Sequence, residues 1–282
     1  MTPTPLFDGD EVRLKQCRHG LMSYFKHDQY VGRSFDVYGE FSESETSLFK
    51  EAVRPGDIVV EVGANIGSHT LFLAQSVGSQ GAVLAFEPQR RVFQMLCGNL
   101  ALNGIENVRA LQMGLGDGDG VAKIPALSFA QTVNVGGVSL ASTEAAPDWE
   151  DVEVRTLDSF NLPRLDFLKI DVEGMEEQVL RGAEQTIRRC RPLLYVENDR
   201  EDKSESLLRY MLSLGYRLWW HLPIMYNEDN FFGNKENIFP GIVSINVFGV
   251  PEELEVQVNR FSPVEDPAIA WSQGKFKITG VY

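Results

Sequence analysis

Acidic residues gather where two short apolar runs end. The run LDFLKI (165–170) leads through Lys169-Ile170 into Asp171-Val172-Glu173-Gly174, and LLYVE (193–197) closes on Glu197-Asn198-Asp199. If the two runs are neighbouring strands of an open parallel sheet, their carboxyl ends face one crevice, and Asp171, Glu173 and Glu197 converge there. A carboxylate crowded by others has a raised pKa and can take the proton of an attacking hydroxyl. Alternatively, Asp171 with Glu197 and Asn198 offers the hard oxygen ligands that suit Mg²⁺, which would lower the hydroxyl's pKa directly. Asp171 and Glu173 also have a structural role open to them, because they precede a helix expected near Gly174, where anions gain roughly 0.3–1 kcal/mol. His221, closing YRLWWH (216–221), is a fourth catalytic candidate, since imidazole titrates near neutrality. Lys169, set in an apolar run, is expected to pair with a carboxylate.

A second constellation is the turn Glu61-Val62-Gly63-Ala64-Asn65-Ile66-Gly67, followed by Ser68-His69-Thr70 and the apolar LFLAQSV. A strand running through a tight turn into a helix needs residues that tolerate positive φ. Gly63 and Gly67 do, and asparagine is the side-chain-bearing residue that most readily joins them. Backbone amides in such a turn are expected to face a ligand carboxylate. The spacing is wrong for a dinucleotide fingerprint, which would need glycine where Asn65 and Ser68 stand, and no Gly-Lys-Ser/Thr follows for a phosphate loop. Glu87, in Ala85-Phe86-Glu87-Pro88, is the first acid after the next apolar run. At a strand's carboxyl end it can accept both ribose hydroxyls of a nucleoside.

Positioning these groups requires a strand-then-helix rhythm, and one runs from about residue 57 to 250. Strands are expected at IVVEV (58–62), AVLAF (82–86), VRALQMG (108–114), LDFLKI (165–170), LLYVE (193–197), YRLWWH (216–221) and VSINVFG (243–249), with a helix from about Lys203 to Leu214. Such alternation predicts a doubly wound α/β sheet covered on both faces. Ser42-Glu43-Ser44-Glu45 has the form of a capping box ahead of Leu48, Phe49 and Val53, and Pro55-Gly56 ends that helix. The segments divide as 1–41, an accessory N-terminal layer; 42–250, the main domain; and 251–282, an extension whose Trp271, Phe276 and Ile278 pack on this domain or on a second subunit of a homo-oligomer. Two stretches break the rhythm. Residues 118–150 are rich in Gly, Ser, Ala and Thr, whereas 222–241 carry Tyr226, Phe231, Phe232 and Phe239 and are expected to form a mobile lid or acceptor wall.

The segments VVEVGANIGSHT, AFEP and, above all, LKIDVEGMEEQVLRGA (168–183) together resemble the FkbM-type methyltransferase family. The resemblance covers about residues 40–250. It implies the class I methyltransferase fold, a Rossmann-like, mostly parallel seven-stranded sheet with one antiparallel strand. It also implies S-adenosylmethionine as methyl donor and a hydroxyl acceptor on a sugar, polyketide or related small metabolite. Carried onto this chain, it gives Glu61, Gly63, Asn65, Gly67 and Thr70 to the methionine end, with Ala64 in the same turn. Glu87, with Pro88 beside it, goes to the ribose, and Leu115, Gly116 and Asp117 to the adenine. The end-of-strand acids also resemble the metal site of catechol O-methyltransferase. A noncatalytic nucleoside binder that uses 222–241 to hold a partner is the rival expectation.

Composition narrows the classes. A formal charge of −14 with a sequence pI near 4.8 repels a nucleic-acid backbone unless a local basic patch outweighs it, and none is evident. Arg188, Arg189 and Arg191 fall at a helix end, where cations meet the dipole. Hydrophobic residues make up 43% of the chain, enough for a large core, yet no apolar stretch approaches the roughly 18 residues that span a bilayer. The N-terminus lacks a basic start and apolar run. Cys17, Cys97 and Cys190 show neither disulfide nor zinc spacing. A cytoplasmic protein without nucleic-acid or membrane partners is expected.

Overall fold

The structure, a computed structural model, describes residues 3–129, 134–137, 148–274, 276 and 278–279. In chain order its elements are β1 (Phe7–Asp8), β2 (Val12–Cys17), β3 (Gly20–Phe25), α1 (Val31–Tyr38), α2 (Glu43–Ala52), β4 (Ile58–Val62), α3 (Thr70–Val77), β5 (Ala82–Phe86), α4 (Arg90–Leu102), β6 (Val108–Leu111) and β7 (Gly114–Leu115). These are followed by β8 (Gly120–Pro125), β9 (Trp149–Arg155), β10 (Phe167–Ile170), α5 (Glu176–Gly182), α6 (Glu184–Cys190), β11 (Leu193–Glu197), α7 (Glu201–Ser213), β12 (Tyr216–Pro223), β13 (Asn246–Pro251), β14 (Ser262–Pro263) and β15 (Ile278–Thr279).

The central sheet runs β14-β12-β13-β11-β10-β4-β5-β6, with β15 beside β12. Seven of these strands are the expected set. The pairs β6–β5, β5–β4, β4–β10 and β10–β11 are parallel, and β13 is antiparallel to both β11 and β12. This is the class I methyltransferase sheet, and the short β14 and β15 extend its edge.

Strand alternation divides the core between two faces. Val60, Val62, Leu168, Ile170, Val196 and Val247 meet Val179, Leu180, Leu208 and Met211 from the helices on one side. Val59, Val83, Phe167, Tyr195 and Phe248 meet Leu48, Phe49, Leu73 and Val77 on the other. Burial on both faces explains why these strands read as continuous apolar runs. The N-terminal hairpin β2–β3 packs Met22, Tyr24 and Phe25 with Val92, Leu96 and Leu100 of α4.

Several expectations are corrected. The run 108–114 is not one strand: β6 stops at Leu111, and Gly114-Leu115 pair with β9 in a separate three-stranded sheet with β8. The stretch 118–150 therefore contains β8 and the first residues of β9, and the inward Val152 and Val154 that give β9 its apolar alternation fall just beyond it. The capping box does not form. Ser42 has φ 44°, a left-handed backbone from which its side chain makes no cap hydrogen bond, and Glu45 turns inward instead. Residues 222–241 are anchored: the Tyr38 hydroxyl donates to the Glu236 carbonyl and accepts from Ile238 N–H, while Glu40 accepts from Asn227 and Phe231 N–H. Trp271 and Phe276 pack on the chain's own core, with the Phe276 ring 5.2 Å from that of Trp220; the Ile278 side chain lies outside the described residues.

Candidate active site

A cleft of about 350 Å³ opens at the carboxyl ends of β4, β5, β10 and β11. Its floor is the glycine turn, where Gly63, Asn65 and Gly67 have φ of 80°, 51° and 88°, as their types required. The close approach at Gly63 is to the chain itself, since a Cβ there would lie 1.8 Å from the Asp171 carbonyl oxygen. Nor does the turn reserve its amides for a ligand. Gly63 and Ala64 N–H donate to the Phe86 carbonyl, Ile66 to the Asn65 side chain and Gly67 to the Ala64 carbonyl. The Asn65 amide goes to Glu87.

Glu87, only 4% exposed, accepts Asn65 N–H on one carboxylate oxygen (3.0 Å) and Gln89 N–H on the other (2.9 Å). Each oxygen keeps acceptor capacity, which fits a pair of ribose hydroxyls. Burial pushes Glu87 up to about 7, against the lowering effect of those two amides. Beside it the Gln89 amide nitrogen donates to the Val135 carbonyl, and Phe86, Met113 and Leu115 provide an apolar wall.

The opposite end of the cleft is acidic. Lys169, buried in β10, sits 3.1 Å from Asp171. Burial works against its charge, but Asp171, Glu61 and Glu45 outweigh burial and raise its pKa. Asp171, Glu173 and Glu197 each bring a carboxylate oxygen within 4.8 Å of the others. Burial, then Asp171 and Asp199, push Glu173 up to about 8, although Arg200 binds its carboxylate. Burial, then Asp171, Glu173 and Asp199, raise Glu197 well above its ordinary value, and its Oε2 has no hydrogen-bond partner among the described residues. Glu173 itself has φ 56°, so the turn after β10 holds a side-chain-bearing residue in the left-handed region, at a cost of order 1–3 kcal/mol that is typical of functional turns.

Of the expected site residues, Gly63, Asn65, Glu87, Pro88, Leu115, Asp171, Glu173 and Glu197 line this one cleft. Others do not. Glu61 is 1% exposed and accepts the Thr70 hydroxyl at 2.6 Å, so these two brace the turn from behind, and Ala64 and Gly67 are packed beneath it. Gly116 is pressed against Gly182, and Asp117 faces a separate groove between α5 and α7. His221 is buried away from the cleft, its Nδ1 2.8 Å from the Tyr195 hydroxyl and its ring against Phe261, and burial drops its pKa to about 3. It is poorly suited to be the base. The Mg²⁺ set Asp171, Glu197 and Asn198 is not assembled in this cleft, because Asn198 lines the separate groove between α5 and α7, where its amide nitrogen donates to Ser204 at 2.9 Å. The carboxylates that do converge already have cations at two of three positions, Lys169 on Asp171 and Arg200 on Glu173, so the donor set does not fit the ion as it stands.

Sequence reasoning missed several cleft residues, three of them polar groups beside the acid cluster or the glycine turn. Glu45, from α2, was absorbed by the false capping box; burial lifts it to about 7. His69, next to the glycine turn, is held neutral by burial and by Lys169, and its Nε2 has no hydrogen-bond partner among the described residues and lies 3.8 Å from Glu45. Asn246 faces Glu197 across the β11–β13 pair. No local motif marks any of them.

The sheet order and the cleft at its strand ends define a class I methyltransferase fold. Residues 61–218, more than half of the chain, match the methyltransferase FkbM domain. Methyltransferase 1 of Beauveria bassiana is 31% identical over 54% of this chain and 70% of its own length. Hexuronic acid methyltransferase AglP of Haloferax volcanii is 29% identical over 54% of this chain, which spans 59% of that relative. A crystal structure of Methyltransferase FkbM from Methylobacillus flagellatus is 18% identical, with a TM-score of 0.47, covering 79% of this chain and 55% of that one. The chain belongs to the FkbM methyltransferase family.

Proposed function

We propose that the chain transfers a methyl group from S-adenosylmethionine to a hydroxyl oxygen of a small molecule. The observation that carries this reading is that one cleft joins Glu87, with an open acceptor position on each carboxylate oxygen, to Glu197, with a carboxylate oxygen lacking a hydrogen-bond partner among the described residues. When bound, the cofactor supplies an electrophilic methyl on a sulfonium. Glu87 accepts the ribose hydroxyls, and Phe86, Met113 and Leu115 shelter the adenine. Glu197 takes the acceptor's hydroxyl proton as that oxygen attacks the methyl, so the lead catalytic role passes from Asp171, which is tied to Lys169, to its neighbour. Catalysis then comes from orientation and proton removal, without Mg²⁺. The relative named for a hexuronic acid supports an acceptor of metabolite size.

Calorimetry with S-adenosylhomocysteine and mass spectrometry of a cell extract incubated with methyl-labelled cofactor test the proposal together. Binding and a new labelled product are expected. Binding with no product favours the noncatalytic nucleoside-binding reading, and tight NAD binding in place of S-adenosylhomocysteine overturns both.

A further inference from the structure

Three cleft-lining polar atoms near the acid cluster lack a hydrogen-bond partner among the described residues, Glu197 Oε2, Asp199 Oδ1 and Asn246 Nδ2, and of these Asp199 Oδ1 has the Arg200 guanidinium 3.4 Å away. Glu197 on β11 and Asn246 on β13 are directly opposed in antiparallel register, so their side chains leave the same face of the sheet about 4.5–5.5 Å apart at Cβ. Asn246 is 5% exposed, too buried for bulk water to satisfy it freely. The two atoms have opposite needs: a carboxylate oxygen accepts and an amide nitrogen donates. A hydroxyl meets both at once, donating its proton to Glu197 and accepting from Asn246 through one lone pair, with the second lone pair left to attack. Once Glu197 is ionised, a carboxylate or phosphate has no proton for it, and an ammonium has no lone pair for Asn246.

Charge reinforces this selection. The cleft is lined by six carboxyl groups, Glu45, Glu87, Asp171, Glu173, Glu197 and Asp199, against one ammonium, Lys169, while His69 is neutral. Burial raises five of the six, so the field turns acidic as they ionise with rising pH. An anionic acceptor group would enter against that field. We propose that Glu197 and Asn246 together seat the reacting hydroxyl of an uncharged acceptor, making Asn246 a catalytic residue and excluding carboxylates as methyl acceptors.

The inference rests on the methyl-transfer reading above. In the step, the O–H bond breaks with its proton passing to Glu197, the oxygen lone pair forms the new C–O bond, and the C–S electrons return to sulfur, which becomes a neutral thioether.

The test uses the full chain, a small-molecule cell extract and methyl-labelled S-adenosylmethionine. The expected product is not retained on an anion exchanger and keeps its label in mild alkali, as an ether does. A label released by alkali, or a labelled anion, overturns the inference while leaving methyl transfer intact. With the purified product's parent as acceptor, Asn246→Leu is expected to lower kcat/KM about 10- to 100-fold at unchanged S-adenosylhomocysteine affinity and melting temperature. Asn246→Gln, which retains the donor, is expected to recover part of that loss. Unchanged kcat/KM in Asn246→Leu means that ordered water fills the seat, which also overturns the inference. A chain that binds S-adenosylhomocysteine but labels nothing refutes the methyl-transfer reading first and the seat with it.

Discussion

Glu87 is held in place by two backbone amides, so its own side chain pays little to meet a ligand, and its removal deletes two prepositioned acceptors at once. Glu87→Ala is expected to weaken S-adenosylhomocysteine binding by about 1–3 kcal/mol, read by calorimetry on the folded variant. Unchanged affinity would remove the ribose assignment. At the other end of the cleft, Glu197→Gln keeps shape but not the acceptor charge, and turnover should fall about 10²- to 10⁴-fold while cofactor affinity holds. Because burial and its acidic neighbours raise Glu197, the base ionises only above the ordinary carboxylate range, so kcat should climb as pH rises beyond it. A flat profile in the parent protein contradicts a base of this kind. Asp171 acts differently. Its loss in Asp171→Asn leaves Lys169 buried with only Glu61 and Glu45 for company, so melting temperature should fall along with turnover. Activity is expected to survive dialysis against EDTA, since Lys169 and Arg200 already occupy two of the three clustered carboxylates. Activity lost to EDTA and restored by Mg²⁺ would show that those ion pairs yield to the metal.

The segment between β12 and β13 behaves as a strap fastened to α1 and to the residues that follow it. Ile238 N–H donates to the Tyr38 hydroxyl and Phe232 N–H to the Tyr38 carbonyl, with Tyr38 and Phe239 packed in one cluster. Hydrogen exchange at Phe232 and Ile238 should therefore be slow without any ligand, and Tyr38→Phe should speed it at Ile238. Rapid exchange at both amides in the parent protein would restore a mobile lid. Its aromatic residues were visible in the sequence; that they faced α1 was not, because the contact joins positions nearly 200 residues apart (|i−j| = 198 for Tyr38 with Glu236). The same distinction separates what was legible elsewhere. The parallel strands announced themselves because burial on both faces demands unbroken apolar runs, and Glu87 followed from its place at a strand end. Glu45 was hidden because a local pattern, Ser-x-x-Glu, offered a cheaper explanation than a lysine 124 positions later, at Lys169. His221 misled for the complementary reason: a strand end near a loop suggested access, yet Tyr195 and Phe261 enclose it.

Across the whole molecule, the acids make stability and binding depend on pH in opposite ways. Burial raises Glu45, Glu61 and Glu87 from an ordinary 4.5 to about 7 in the folded protein. Between those values the folded state holds protons that the unfolded chain has released, so the contribution of these groups to ligand-free stability declines as pH rises from about 4.5 to 7. Ribose hydroxyls favour the ionised form of Glu87, so cofactor binding should release protons and strengthen over the same window. The rise in melting temperature caused by S-adenosylhomocysteine should be larger near pH 8 than near pH 5, and a pH-independent shift would contradict the ribose role. The order of strands has a further consequence, for synthesis. Strand β4 lies at the centre of the sheet, but its neighbour on one side, β10, arrives late: Ile58 N–H is held by the Asp166 carboxylate, 108 residues downstream. At about 5–20 residues per second, roughly 5–20 s pass at the ribosome between the two. Through that interval β4, β5 and β6 can pair only among themselves, leaving one edge of Val59, Val60 and Val62 without its partner strand. The nascent chain is thus most open to edge-to-edge aggregation in mid-translation, and a holdase or slow-translated codons after β4 would act in opposite directions on the yield of folded protein.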